Sequence, residues 1–336
     1  MPNIQEVINH LESIAPPIYQ ESYDNAGLIC GDASAAVTGV LTCLDSTEAI
    51  IDEAIAKSCN LVVAHHPIVF RGLKKITGRN YVERTLLKAI KNDIAIYAIH
   101  TNLDNVYRQG VNARFAERLG LNNTRILSPK ANLLQLRFQI DASDLEAVRK
   151  ADQSFQGAAA VVTPLVNPDQ YEVRASVAAG QVSDFRRAVS AFAKNGISTL
   201  DVQDKNDQIG SGMLGQLTEP MSELDFLHFL KERMQTHCVK HTALLGKPIQ
   251  KVALCGGAGG FLLPAALRAQ ADIFITADYK YHEFFDADEQ LIIADIGHFE
   301  SEQFTIPLLK ELLSNKFSNF AVYETAIRTN PVSYVV

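Results

Sequence analysis

The chain is predicted to be an α/β protein with largely parallel sheets, and three observations predict this. Strands and helices alternate from Gly39 to Ile99 and again beyond Gly210, the pattern of parallel strands covered by helices. Between these stretches the order changes to βαββαβ, the ferredoxin-like succession of elements. Four apolar runs of strand length end in metal-binding residue types, and open α/β sheets place their chemistry just past the carboxyl ends of strands.

Residues 3–14 predict an amphipathic helix, with Ile4, Val7, Ile8 and Leu11 at helical spacing and Pro16-Pro17 ending it. Gly39–Leu44 predicts a strand. Ser46 is then the expected N-cap of a helix over Thr47–Lys57. The strand Leu61–Ala64 follows, then a loop rich in Arg, Lys and Gly (Arg71–Arg79), a helix near Tyr81–Asn92 and the strand Ile94–Ile99. Another helix is expected over Asn105–Leu119.

From Leu133 the pattern changes. Leu133–Ile140 predicts a strand and Ala142–Phe155 a helix. Ala158–Pro164 and Tyr171–Ala179 predict two strands joined at Asn167-Pro168-Asp169. Val182–Lys194 predicts a helix capped by Asn195-Gly196, and Ile197–Val202 a strand. Residues 130–210 are therefore expected to form a self-contained insertion of about 80 residues, leaving 1–129 with 211–336 as the core. Beyond Gly210, Ser222 is a plausible cap for a helix reaching about Met234. Strands Lys251–Cys255, Asp272–Ile275 and Leu291–Ala294, helices Leu263–Gln270 and Phe304–Ser314, and a short strand Ala321–Val322 complete the reading.

Composition narrows the function classes. Hydrophobic residues make up 47% and charged residues 21% of 336 residues, as in an ordinary globular protein with a large core. The longest apolar runs fall short of the roughly 20 residues that span a bilayer, so no membrane association is expected. Met1-Pro2-Asn3-Ile4-Gln5-Glu6 lacks the basic flank of a signal peptide. Five widely spaced cysteines without a C-x-x-C pair read as free thiols in a reducing cytoplasm. A net charge of −7 with no long basic stripe disfavours non-specific nucleic-acid binding. It still allows a small basic pocket for a phosphorylated ligand.

The four apolar runs lead into His65-His66-Pro67, His100-Thr101-Asn102-Leu103-Asp104, Asp278 with His282-Glu283 beyond it, and His298-Phe299-Glu300-Ser301-Glu302. His298 and Glu302 are spaced i, i+4, which puts both on one helix face if a helix begins there. Solvated helices carry such pairs by chance. Consecutive side chains on a strand diverge, and Pro67 keeps His66 extended. Hence either one of His65 and His66 is a ligand and the other packs, or they serve two ions; two satisfied core histidines are the bland alternative. Asp104 reads either as a ligand or as the cap of the helix after it. Three imidazoles and two carboxylates suit zinc, manganese, iron or nickel. Five side chains underfill two ions unless one carboxylate bridges, as in two-metal hydrolytic sites. Gly256–Gly260 follows a strand but matches neither a P-loop nor G-x-G-x-x-G, and reads as a tight strand–helix turn.

These residues, in this order, resemble the NIF-three-like proteins, also called GTP cyclohydrolase 1 type 2 homologues. The motifs are Tyr23-Asp24-Asn25-Ala26-Gly27-Leu28, His65-His66-Pro67, Ile76-Thr77-Gly78, His100-Thr101-Asn102-Leu103-Asp104, Gly256-Gly257 and Gly297-His298-Phe299-Glu300-Ser301-Glu302. The family usually has Trp where Tyr23 stands, and often Thr-Gly-Asp/Glu where Thr276-Ala277-Asp278 stands. The resemblance implies two α/β halves with a metal site between them and a PII/CutA-like inserted domain. It implies two divalent ions per chain (zinc, iron or manganese). His65 and His298 would hold one ion, His66 and Asp104 the other, and Glu302 would bridge. It further implies a homohexamer and a metal-dependent hydrolase acting on a nucleotide, for GTP at the purine C8. His100 and His282 are the expected proton-transfer residues. A non-catalytic regulatory or metal-handling scaffold and a nucleotide phosphoesterase are the competing readings.

Overall fold

The computed structural model describes residues 2–130, 133–154, 159–201 and 208–335. By its internal contacts the chain divides into two compact units, Met1–Ser128 with Ile209–Val336, and Pro129–Gln208.

In the first unit, helix α1 (Ile4–Ile14) is fixed by a capping box in which Asn3 and Glu6 satisfy each other's backbone amides. Strands β1 (Gly27–Cys30), β2 (Gly39–Cys43), β3 (Leu61–Ala64) and β4 (Ala95–Ala98) alternate with helices α2 (Glu48–Ala56) and α3 (Tyr81–Lys91). Every residue of β2, β3 and β4 is buried, so these strands are apolar throughout, as helix-covered parallel strands are. Thr47, not Ser46, caps α2, its hydroxyl accepting from Ile50 N. The expected helix over Asn105–Leu119 is instead two: α4 (Thr101–Asp104) and α5 (Val111–Arg118). The chain turns between them at Gly110, where a Cβ would lie 2.3 Å from Val106 O. Asp104 thus ends one helix and caps neither. Strand β5 (Asn122–Pro129), absent from the sequence reading, has a largely exposed polar first half and lies at a sheet edge.

The second unit contains β6 (Leu133–Asp141), α6 (Leu145–Ser154), β7 (Ala159–Pro164), β8 (Gln170–Ala178), α7 (Val182–Val189) and β9 (Lys194–Asp201). Its antiparallel sheet has the order β7-β8-β6-β9. Leu136, Phe138, Ile140, Val173, Val177 and Phe185 form its own core. The expected element ends at Phe155, Ala158 and Val202 lie outside the described residues.

The first unit continues with β10 (Gly210–Met221), α8 (Glu223–Arg233), β11 (Lys240–His241), β12 (Ile249–Leu254), α9 (Leu263–Arg268), β13 (Ile273–Thr276), β14 (Ile292–Asp295), α10 (His298–Glu302), α11 (Thr305–Lys316) and β15 (Ala321–Glu324). Ser222 caps α8 as expected. Two sheets result, in the orders β1-β4-β3-β2-β15 and β11-β14-β13-β12-β10-β5. Strands β15, β2, β3 and β4 run parallel in the first, and β12, β13 and β14 in the second. The consequence for function is directional. Asp45, His65-His66, His100, Gly256, Asp278 and His298 each follow the carboxyl end of a parallel strand, where α/β sheets bind ligands. Among the described residues no helix is long and apolar enough to cross a membrane.

Candidate metal centre

Glu302 lies at the centre of the site, on α10 and 3% exposed. One carboxylate oxygen, Oε2, lies 2.9 Å from His66 Nε2 and 3.2 Å from His298 Nε2. The other, Oε1, lies 3.9 Å from His65 Nε2, which is itself 3.5 Å from Asp104 Oδ1. Two groups of donors therefore share Glu302, namely His65, Asp104 and Glu302, and His66, His298 and Glu302, each within 4.8 Å, and a third, His65, His66 and His100, lies equally close without it. This exchanges the partners that the family resemblance implies for His65 and His66. The cause is strand order. β3 lies between β2 and β4, and beyond its end His65 bonds to Ile99 on the β4 side while His66 bonds to Asp45 on the β2 side. Asp104 follows β4, so it falls to His65.

Each imidazole is held from behind. His65 Nδ1 donates to Ile99 O at 2.8 Å, His66 Nδ1 to Asp45 Oδ1 at 2.9 Å, His100 Nδ1 to Asp24 Oδ1 at 2.8 Å and His298 Nδ1 to Asp278 Oδ2 at 2.7 Å. A carbonyl or carboxylate oxygen accepts, so Nδ1 carries a proton and Nε2 is the nitrogen left to meet an ion once any second proton is lost. This is how metal-binding histidines are oriented by their surroundings. Asp24 and Asp45 were not singled out from sequence, and Asp278 was singled out only as a metal-binding residue type past a strand end. Asp24 and Asp278 stand in the recognised segments, but only the fold shows that they face imidazoles.

The donor set fits cations. His65 Nε2 and Asp104 Oδ1 are buried and have no hydrogen-bond partner, an arrangement that costs roughly 1–3 kcal/mol per group if left unmet. A lone pair facing a carboxylate oxygen needs a proton or a metal ion between them. Charge leads to the same demand. Burial works to raise Glu302, but His298 and the hydrogen bonds of the imidazoles hold it well below the usual carboxylate range. Burial and the neighbouring Glu302 push Asp104 up to about 7. Burial pulls His66 down, yet Asp45 and Glu302 raise it to about 9. His298 is likewise pulled down by burial and raised by Glu302 and Asp278, to about 11. Without metal, protons supply the positive charge the carboxylates require.

The glycine run serves the same centre. Gly257 has φ +64°, and a Cβ there would lie 2.4 Å from Glu302 Oε1. Its amide donates to Ser301 Oγ, that of Gly256 to Asn112 Oδ1 and that of Gly259 to Thr276 Oγ1. With three amides engaged by side chains, the run is a close-packed turn rather than a phosphate cradle.

His100 lines the same cleft, its ring 5.4 Å from those of His65 and His66. Burial tends to raise Asp24 behind it, but bonds from His100 and Thr101 hold Asp24 at about 2. His282 does not join them. It is exposed on a 3-10 segment, Tyr281–Ala287, stacked edge-on against Tyr281, and does not line the cleft. The chain bends back between β13 and that segment, with Tyr279 N bonded to Asp295, so proximity to Asp278 in sequence does not carry His282 inward. The cleft encloses about 1030 Å³, and Tyr23, Phe70, Tyr81 and Phe261 stand exposed around it.

Comparison with known proteins agrees along the whole chain. The profile of the family described as Duf34/NIF3 (NGG1p interacting factor 3) matches residues 2–331. A Staphylococcus epidermidis protein named GTP cyclohydrolase 1 type 2 homolog is 30% identical, covering 98% of this chain and 99% of its own length. The crystal structure of a Bacillus cereus protein related to NIF3 superposes with a TM-score of 0.80 at 30% identity, over 100% of this chain and 99% of that one. A Staphylococcus aureus structure gives 0.83 at 27% identity, over 99% of each chain.

Proposed function

Because this chain belongs to the Duf34/NIF3 family, we propose that it is a dinuclear metal-dependent hydrolase acting on a nucleotide. The observation that carries the proposal is Glu302, whose two oxygens face two separate groups of imidazole and carboxylate donors. His65, Asp104 and Glu302 would hold one divalent ion, and His66, His298 and Glu302 the other. Zinc, iron and manganese all suit such donors. A pair of ions so held would supply Lewis acidity and lower the pKa of a water molecule. The protein's own residues do the rest. Asp24 and Thr101 fix the His100 ring so that Nε2 faces the cleft, where it can take or return a proton. The exposed rings of Tyr23, Phe70, Tyr81 and Phe261 offer faces for a planar base. For GTP the attacked atom would be the purine C8, with ring opening and formate release.

The proposal extends to the rest of the chain. The βαββαβ order and separate core of residues 129–208 support a ferredoxin-like inserted module. Five free cysteines support a reducing, cytoplasmic setting. Exposed apolar residues Leu28, Leu73 and Ile76 support self-association, with a homohexamer expected.

The test is turnover of GTP by protein stripped and then reloaded with one defined metal, with formate measured. Formate release lost in Glu302→Ala and strongly reduced in His100→Asn, both folded, is the expected result. Phosphate release instead would assign a phosphoesterase. Inactivity toward GTP and a broad nucleotide panel would leave the non-catalytic reading.

A further inference from the structure

The segment after β15 runs back across the cleft and touches the centre at two removes. It is anchored first. Thr325 N donates to Thr42 O at 3.0 Å, Ala326 N donates to Glu53 Oε1 at 2.9 Å, the Thr325 hydroxyl bonds the other oxygen of Glu53, and Ile327 packs on the core of the first sheet. Three consecutive side chains then bond to carboxylates beside the site. Thr329 Oγ1 donates to Asp45 Oδ2 at 2.7 Å, and Oδ1 of the same carboxylate accepts from His66. Arg328 Nη2 and Asn330 Nδ2 both donate to Glu300 Oε1, at 2.9 and 2.8 Å. The Arg328 guanidinium also lies 4.6 Å over the Phe299 ring.

Glu300 is 1% exposed and sits on α10 between His298 and Glu302. A buried carboxylate on a helix of five residues fixes that helix only if its own partners are fixed, and Arg328 and Asn330 are those partners. Asp45 is in the same position. Thr329 is the hydroxyl that holds its second oxygen, and without it the carboxylate is free to rotate about its terminal torsion. The chain through Thr329 ends on His66, and the chain through Glu300 ends on α10, which carries His298 and also Glu302, common to both donor groups. Neither ends on His65 or Asp104.

We propose that Thr329, Arg328 and Asn330 are positioning residues, Thr329 through Asp45 to His66 and so to one of the two ion positions, the other two through Glu300 to α10, which carries Glu302 and so serves both. This rests on the two-ion reading of the site. It goes beyond that reading in making the two positions unequal: only the one that includes His66 is backed, through Asp45, by Thr329 of this remote segment. Partners behind metal-binding imidazoles typically change affinity about 10–100-fold, and Thr329 acts one bond further out.

The test titrates ion-free full-length protein with Zn²⁺ against a competing chelator, with His298→Ala marking which binding step belongs to this position. Thr329→Val, which keeps the side-chain shape, should weaken that step about tenfold and leave the other step unchanged, and Thr329→Ser should restore it. Arg328→Met, which acts through α10 on Glu302 as well as His298, should weaken both steps. A second reading needs no metal: in protein labelled with ¹⁵N at histidine, Thr329→Val should shift the His66 Nδ1 resonance and leave that of His65 in place. Unchanged zinc affinity together with an unshifted His66 signal overturns the proposal. Equal weakening of both zinc steps by Thr329→Val also overturns it, because the effect would then not be directed. A wild-type protein that takes up no zinc at this site, with the His66 signal still responsive to Thr329, would instead bring down the two-ion reading and leave the positioning of His66 standing.

Discussion

At the scale of single residues the centre is a problem of charge. Asp24, Asp45, Asp104, Asp278 and Glu302 are gathered around four imidazoles, and Lys240, the lysine lining the cleft, is paired with Asp295. The ion-free protein must meet this with protons, on His66 with its value near 9 and His298 near 11. The sign of the pH dependence follows. Unfolded histidine titrates near 6.5, so in the ion-free state these groups stabilise the fold fully below that pH. The contribution is lost as pH rises through about 9 and then about 11. Metal binding runs the other way, since each imidazole must lose its extra proton to bind. Zinc affinity measured from pH 6 to 8 should therefore rise steeply, by up to about tenfold per pH unit for each proton displaced. Asp104, near 7 without metal, adds to the rise at the His65 position below that value and stops adding above it. A flat profile would show that the imidazoles are already neutral.

At the scale of elements the site depends on a few close approaches. The turn after β12 brings Gly257 against Glu302, and Gly257→Ala would place a methyl group 2.4 Å from Oε1 in a backbone conformation that alanine rarely adopts. It should lower affinity for both proposed ions, since Glu302 faces both donor groups, and destabilise the fold by about 1–3 kcal/mol, readable as a lowered urea midpoint. The parallel strands were legible because their residues are apolar on both faces: Leu61–Ala64 was placed to the residue and Ala95–Ala98 to within one residue at each end. The edge strand β5 was not. Residues exposed at a sheet edge need no apolar pattern, and Asn122–Arg125 shows none. The i, i+4 pair of His298 and Glu302 was legible because a helix fixes that spacing locally. The grouping of His65 with Asp104 was not, because it depends on which strand lies beside β3, which no local pattern records. The role of the three aspartates behind the imidazoles was missed for the same reason: each bond joins segments distant in sequence. His282 failed in the opposite sense, as near in sequence as Asp278 yet carried outward by a turn.

At the scale of the whole molecule, every candidate ligand lies in the unit formed by Met1–Ser128 and Ile209–Val336, and residues 129–208 have a core of their own. Joining Ser128 to Ile209 through a short Gly/Ser linker should leave metal content unchanged, as measured by elemental analysis of the purified protein. Insoluble protein or lost metal would mean that the insertion is part of the core. The central claim, that Glu302 joins two ion positions, is tested most directly by metal stoichiometry after reconstitution with zinc, manganese or iron. The wild-type chain should carry two ions, Asp104→Ala and His298→Ala should each keep one, and Glu302→Ala should keep neither while remaining folded. A wild-type stoichiometry of one, or a Glu302→Ala variant that retains its full metal content, would contradict the account.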